Sequence, residues 1–518
     1  MIALALTFLV LVMFEMMKPN PSTTVENNAT QIESANQAPN AVTTPQTQST
    51  VAVAPQQSAA ALVTAVNSLT TIQSDKFIIT IDEIGRIAQV KLLEEKYKFE
   101  GKELELLNPN WVRPLEIRFA DTALTQEART TPYTTSANVV DLNSGTNSVT
   151  LTQKLSQTTV TKKLTFYPDG HYDLAIDLST PLPYFVTTGQ RPDADHSMYM
   201  VVHGSMVRKS NEVSEIIEDG KAEGTPSFPN AKFASAFDRY YASILYSFEK
   251  PINVSSITIE EDRSLLFVQG EPNLSIHGYI GPKEHVTFKN INPELTEAIE
   301  YGWFTFIAAP LFKVLQWLHD HIGNWGWAIV IVTILIKLIL FPLSYKGMMS
   351  MNKLKDLAPK MKEIKEKYGK DPQKMNAQMM ELYKKHGANP MGGCLPLLLQ
   401  IPVFFAIYRV LLNAVELQGA EWILWITDLS LMDPFFVLPV LMGASMWYQQ
   451  KLTPNTMTDP MQQKIFQWLP VVMTLFFIYF PAGLVLYWLV NNIFTIGQQY
   501  IINKSYEKNK ALLKQSKK

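Results

Sequence analysis

Five apolar stretches crowd the C-terminal part of the chain, at 325–345, 394–414, 434–450, 466–481 and 482–502. Each is near the length of a bilayer-crossing helix, roughly 17–25 residues. In lipid every backbone N–H and C=O must be satisfied within the segment, so such stretches fold as α-helices that bundle together. The turn Pro481-Ala482-Gly483 splits the last two into a helical hairpin. Inside the first stretch, "IVIVTILIKLILFPLS" (329–344), one ammonium interrupts an otherwise greasy run. A charge at mid-membrane costs about 2.5–3.5 kcal/mol on insertion scales. Lys337 therefore needs a compensating environment, or a use.

The remainder divides by composition. "MIALALTFLVLVMF" (1–14) is apolar, a cleaved signal peptide or an uncleaved anchor; with neither a basic leader nor a nearby small-residue cleavage site it matches neither pattern fully, and residues 1–17 are expected as an N-terminal transmembrane anchor. Residues 18–73, rich in Asn, Gln, Thr, Ser and Pro, read as a flexible linker, because that composition cannot bury enough apolar surface to fold. From 74 to 298 the period is two. "KFIITIDEIGRIAQVKLL" (76–93) puts Phe77, Ile79 and Ile81 on one face, and "KKLTFYPDGHYDLAIDL" (162–178) is a pair of strands around Pro168-Asp169-Gly170. The expectation is a large, mainly antiparallel β-sandwich. At 299–323 the period turns helical, with Lys313, Gln316 and Asp320 opposite Phe312, Leu315 and Leu318, as in a helix lying in a membrane interface; an amphipathic helix packed on the β domain would show the same pattern. The predicted fold is a membrane protein: an N-terminal span, a β-sandwich domain and a five-span α-helical core at 324–502.

Charge orients this arrangement. Residues 1–336 hold 24 basic and 36 acidic side chains, whereas 346–388 hold eleven Lys against five acids, and 503–518 hold six Lys against Glu507. Basic loops stay on the cytoplasmic side. The segment 346–392, an antiparallel helical hairpin broken at Gly369-Lys370-Asp371-Pro372, and the tail 503–518 are thus expected in the cytoplasm. The loop 416–433, with Glu416, Glu421, Asp428 and Asp433 and no Lys or Arg, is expected outside with the β domain. The chain has one cysteine, Cys394, so no intrachain disulfide can brace the outer domain.

Positions i−4, i and i+7 share a helix face. Around Lys337 these are Thr333 and Ser344; the last span offers Asn491 and Thr495, with Asn492 and Gln499 close by and Trp488 a turn earlier. The second core span offers Gln400, then Arg409 and Asn413, and the fourth is apolar with Met473, Phe476 and Phe477. A bundle that turns its polar faces inward encloses a wet cavity beside a greasy wall.

"NPMGGCLPLLLQIPVFFAIY" (389–408), "DPMQQKI" (459–465) and "FPAGLVLYWLVNN" (480–492) resemble the YidC/Oxa family of membrane protein insertases. The stretch "EYGWFTFIAAPLFKVLQWLHDHIGNWGWAI", after an N-terminal span and a large β domain, is similar to the Gram-negative YidC type. The resemblance is strong from about 300 to 502 and architectural over 74–295. It implies an inner-membrane protein that inserts and helps fold newly made membrane proteins, alone or with the Sec translocon, through a hydrophilic groove open to cytoplasm and lipid. It implies groove and client contacts at Lys337, Thr333, Tyr487, Trp488, Asn491 and Thr495, with Met473, Phe476 and Phe477 as a greasy client-contact face. Partners implied are nascent membrane proteins, the ribosome, the Sec translocon and the phospholipid bilayer. Two departures stand out: Lys337 sits where many members carry Arg, and Tyr487-Trp488 where Tyr-Tyr is common. Unlike Arg, Lys can lose its proton on burial.

No catalytic set, cofactor or metal site competes. There is no Gly-rich nucleotide loop, and "RPDADH", with Asp193, Asp195 and His196, reads as a surface turn. His171, His203, His277 and His285 show no ligand spacing. Two other readings fit parts of the chain. A secondary transporter using Lys337 would show paired halves and broken helices, and no matching halves are visible. An envelope-binding protein would place its function in the β domain and use the spans as an anchor.

Overall fold

The computed structural model describes residues 67–98, 101–195, 201–369, 371–387, 395–453 and 460–515. The expected anchor 1–17, most of the linker and the motif "NPMGGC" lie outside the described residues.

The hairpin around Pro168-Asp169-Gly170 forms as its sequence dictates. Strands Thr159–Phe166 and His171–Leu178 pair antiparallel with Phe166 opposite Tyr172, and Gly170 takes the left-handed conformation (φ 91°) that the turn requires. Their alternate side chains are buried. This hairpin belongs to a 13-stranded sheet. Beyond it lie Asn273–Pro282, Tyr241–Tyr246, Ser227–Phe237 and Ile252–Ile259 in turn. A second sheet of five strands includes Ser68–Gln73, Phe77–Asp82 and Ile87–Leu92. Ile72, Ile79 and Val90 of the small sheet share one apolar cluster with Leu164, Tyr172 and Leu174 of the large one. The first strand starts at Ser68, inside the stretch read as linker: "SLTTIQ" is polar enough to resemble its neighbours, yet it buries Thr70 and Ile72 against the sheet.

Helices α1 (Thr122–Thr130) and α2 (His285–Ile291) decorate the β domain. Then follow α3 (Thr305–Ile322), α4 (Trp325–Ile339), α5 (Phe341–Tyr368), α6 (Pro372–Lys385), α7 (Leu395–Asn413), α8 (Val437–Leu452), α9 (Pro460–Phe477) and α10 (Ala482–Gln515). The stretch 325–345, expected as one span, is bent by 64° between α4 and α5. Pro342 in the first turn of α5 explains the break, since it has no N–H to continue the ladder. Among the described residues no single helix is long and apolar enough by itself to cross a membrane; the α4–α5 pair passes the same test together. The helical hairpin expected from the sequence is α5 and α6, with Leu354, Leu357 and Met361 packed on Met379, Leu382 and Tyr383. The basic tail is no separate piece, because α10 runs unbroken from Ala482 to Gln515.

The β domain is not merely tethered to the helices. Phe237, Ala242, Ile244 and Tyr279 of the large sheet lie in one apolar cluster with Phe288, Leu295, Phe312, Leu315, Trp325 and Leu417. Polar contacts reinforce this seam. Arg239 (2% exposed) donates from Nε to the Leu412 carbonyl at 2.6 Å, at the C-terminal end of α7. Tyr241 donates to Gln418 at 3.0 Å, and the His285 backbone N–H to Glu416 at 2.8 Å.

Candidate functional site: a buried lysine in a polar cleft

On α4 one stripe faces inward, including Ile329, Thr333 and Lys337, while Leu335, Leu338 and Ile339 face outward. The four-residue spacing puts the lysine on the buried side despite its charge. Lys337 is 6% exposed. Its Nζ donates to Thr495 Oγ1 of α10 at 2.9 Å. Thr495 in turn donates its own hydroxyl proton to the Asn491 carbonyl at 2.7 Å, so its oxygen is left to accept from the ammonium. Among the described residues no carboxylate pairs with Lys337; its anchor is a neutral hydroxyl.

A cleft opens beside this contact. Ile336, Lys337, Leu340, Leu343 and Ser344 form one wall, spanning the α4–α5 bend, and Gln400, Val403, Tyr487 and Asn491 form the other. Gln400 of α7 donates to Asn491 at 2.9 Å and closes the polar side. Lys337, Tyr487 and Asn491 thus come together as the sequence suggested, with Thr495 as the direct partner of the lysine.

Other expected residues sit elsewhere. Thr333 is buried, but its hydroxyl donates to Ile329 of its own helix at 2.6 Å, the usual way for a Thr in an apolar helix to satisfy itself. Asn492 and Gln499 turn towards α8, donating to Ser445 and Thr453 at 3.1 and 3.3 Å. Trp488 is half-buried between Phe404 and Phe477, with ring centroids 4.8 and 4.9 Å away. Met473 and Phe477, expected on a greasy client-contact face, are 4% and 3% exposed and belong to the helical core; Phe476 is half-buried. The open stripe of α9 is Trp468, Val471, Val472 and Leu475, and Tyr479 extends it in the turn that follows. Arg409 points to Glu300 at 4.0 Å, away from the cleft.

The sequence reading missed Gln498. It is 5% exposed, on the same face of α10 as Asn491 and Thr495, and among the described residues neither its amide N nor its O has a partner. The spacing 491, 495, 498 carries the signal. In the β domain, His171 pairs with Asp169, and His277 with Asp173 at 2.6 Å. Among the described residues no group of three or more His, Cys, Asp or Glu could hold a metal; His196 lies outside them.

With that geometry in hand, comparison with known proteins is decisive. The model of the family described as 60Kd inner membrane protein matches residues 317–510, and that of the YidC periplasmic domain matches 238–314. The "Membrane protein insertase YidC" of Campylobacter jejuni is 48% identical over 98% of this chain and 96% of its own length. The chain belongs to the YidC membrane protein insertase family. The protein of the same name from Helicobacter pylori strain 26695 is 46% identical over 100% of this chain and 97% of its own, and that of Wolinella succinogenes 49% over 85% and 83%. The protein is thus an inner-membrane insertase with a periplasmic domain, and not an enzyme.

Proposed function

We propose that the cleft at Lys337 is the groove through which this insertase passes the polar parts of its clients, and that Lys337 is a transient partner for acidic residues in a client's translocating tail. The observation that carries this reading is the lysine's partner. A buried ammonium whose partner among the described residues is a neutral hydroxyl is incompletely compensated. An incoming carboxylate completes it, and the Thr495 contact re-forms on release. A carboxylate entering lipid alone meets a steep desolvation cost. A cation about 4 Å away offsets roughly 4 kcal/mol of it, before desolvation, at an effective dielectric near 20.

The topology that goes with this reading has five core spans. Residues 61–298 and 416–433 face the periplasm, and 346–392 and 503–518 the cytoplasm. The clients are newly made membrane proteins, delivered by the ribosome to the Lys-rich hairpin and tail, with or without the Sec translocon, and released into the phospholipid bilayer. Burial of the client's apolar segment drives the step, so no nucleotide is needed.

The test is insertion rate in proteoliposomes for one client carrying zero, one or two Asp in its translocated tail. Lys337→Arg should behave as wild type. Lys337→Ala should slow the clients in order of their Asp content, and Lys337→Glu more so. Equal slowing of all three clients by Lys337→Ala would make the lysine purely structural and overturn the reading.

A further inference from the structure

The groove lysine is one rung of a ladder between two stretches of chain, and the next rungs lie outside the apolar core. One side rail is α4 continuing through the bend into α5; the other is the unbroken α10. After Lys337–Thr495 at 2.9 Å comes Asn352 of α5, 5% exposed, donating to Asn503 Oδ1 at 2.9 Å. One turn further, Asp356 accepts from Tyr506 Oη at 2.9 Å and from Lys510 Nζ at 2.6 Å. Positions 352 and 356, and 503, 506 and 510, follow the helical repeat, so this is a continuous face. The two rails leave the core side by side and both are strongly basic, which makes Asp356 the acid that offsets their repulsion.

Two features say that the ladder moves. First, the rail on the α5 side is hinged. The bend at Leu340 is where the α4 ladder stops, and one wall of the cleft spans it, with Ile336 and Lys337 before the bend and Leu343 and Ser344 after it. Swinging α5 away from α10 moves that wall. Second, Gln498 sits on the α10 rail between the Thr495 and Asn503 rungs, buried, and among the described residues both its amide atoms are unpartnered. Leaving a buried amide unsatisfied is costly, and admitting water or a polar segment beside it removes that cost. The fastened ladder therefore carries a position whose hydrogen bonds are made only when it opens.

We propose that Asp356, with Tyr506 and Lys510, is a latch that holds the cytoplasmic hairpin against the C-terminal helix and thereby sets how far the groove is open. Asp356 is a positioning residue: it touches no client and acts through the hinge at Leu340. Anything that draws Lys510 away, above all a polyanionic surface met by the basic tail, unfastens the hairpin and widens the cleft. The inference rests on the reading of that cleft as the client groove, but its test needs no client.

The experiment uses the full chain in inverted membrane vesicles, with Cys394→Ser and Ser344→Cys, and measures the rate at which a membrane-impermeant maleimide labels position 344 from the cytoplasmic side. Asp356→Asn and Lys510→Gln should each raise that rate about fivefold, the change expected from losing one well-formed surface ion pair. The charge swap Asp356→Lys with Lys510→Asp should return it to the starting value. Unchanged labelling in both single variants overturns the latch. So does raised labelling that the swap fails to reverse, because that outcome reports loosened packing and not a lost pair. Since labelling is independent of insertion, a working latch together with client-charge-independent insertion would refute only the role given to Lys337.

Discussion

Substituting Glu116 in the β domain tests how far a buried charge network holds this fold together. Glu116 is 5% exposed and sits among three guanidiniums: Arg86 at 3.2 Å, Arg118 at 3.1 Å and Arg129 at 2.8 Å. Asp82 binds Arg86 and Arg113 next to it, at 2.9 and 3.1 Å. Burial alone pushes the Glu116 carboxyl up, but Arg118, Arg129 and Arg86 outweigh it and hold the group at about 2. Lowering a carboxyl from 4.5 to about 2 is worth about 3 kcal/mol. Removing the charge while leaving its buried partners costs a similar amount, about 3–5 kcal/mol. Glu116→Gln keeps the shape and removes the charge. For a domain of this size each kcal/mol lowers the melting temperature by about 2–4 °C, so a drop of about 10 °C is expected at pH 7. The assay is thermal unfolding of the full chain in detergent, followed by near-ultraviolet circular dichroism. The pH profile supplies a second readout. A carboxyl whose folded pKa is depressed contributes stability that is present above the unfolded value of 4.5 and lost as pH falls towards 2. Wild type should therefore lose stability over that window more steeply than Glu116→Gln. A melting shift under about 1 °C at pH 7, or identical acid limbs, would refute the reasoning and mean that the arginines are neutralised by other means.

Three further outcomes follow from packing. At Gly443 of α8 an added Cβ would lie 1.8 Å from Thr474 Oγ1, which is itself bonded to Pro470; Gly443→Ala should part α8 from α9 and cost about 1–3 kcal/mol in thermal unfolding of the helical region. Phe477→Ala should destabilise the helical core by about 3–5 kcal/mol, whereas Leu475→Ala, on the open stripe, should leave the melting temperature nearly unchanged; equal effects would mean that α9 is rotated from the orientation described. Deleting most of 74–280 should lower the stability of the remaining helices, seen as earlier heat inactivation, because Phe312, Leu315 and Trp325 lose apolar neighbours on the large sheet.

The seam behind the last of these is not legible in the sequence, for a physical reason. Phe237, Ala242 and Tyr279 lie where their strands are buried on both faces, and nothing local says that what covers them is helical. A seam of that kind is a long-range property. The hairpin at 168–170 was legible because its turn chemistry is local, and Lys337 because a lone cation in an apolar run has few explanations. Its pairing with Thr495 was within reach of helical spacing. The orientation of α9 was not. The membrane part of α9, apolar nearly all round, offers no stripe to read, so the sequence does not show that Met473 and Phe477 pack inward while Leu475 faces out. The bend at Leu340 was written in Pro342 but hidden by the length of the apolar run around it.

The seam between sheet and helices also has a consequence in time. The chain is made from its N-terminus, so the strands carrying Phe237, Ala242 and Tyr279 are complete before Phe312 and Leu315 exist. Until α3 is synthesised, the newborn β domain displays a greasy face to water, the condition under which large sheets aggregate. The maturing protein is therefore most vulnerable in the short window between finishing its last strand at Pro282 and docking α3. A machine that shelters half-made membrane proteins has, in its own birth, a moment at which it is one.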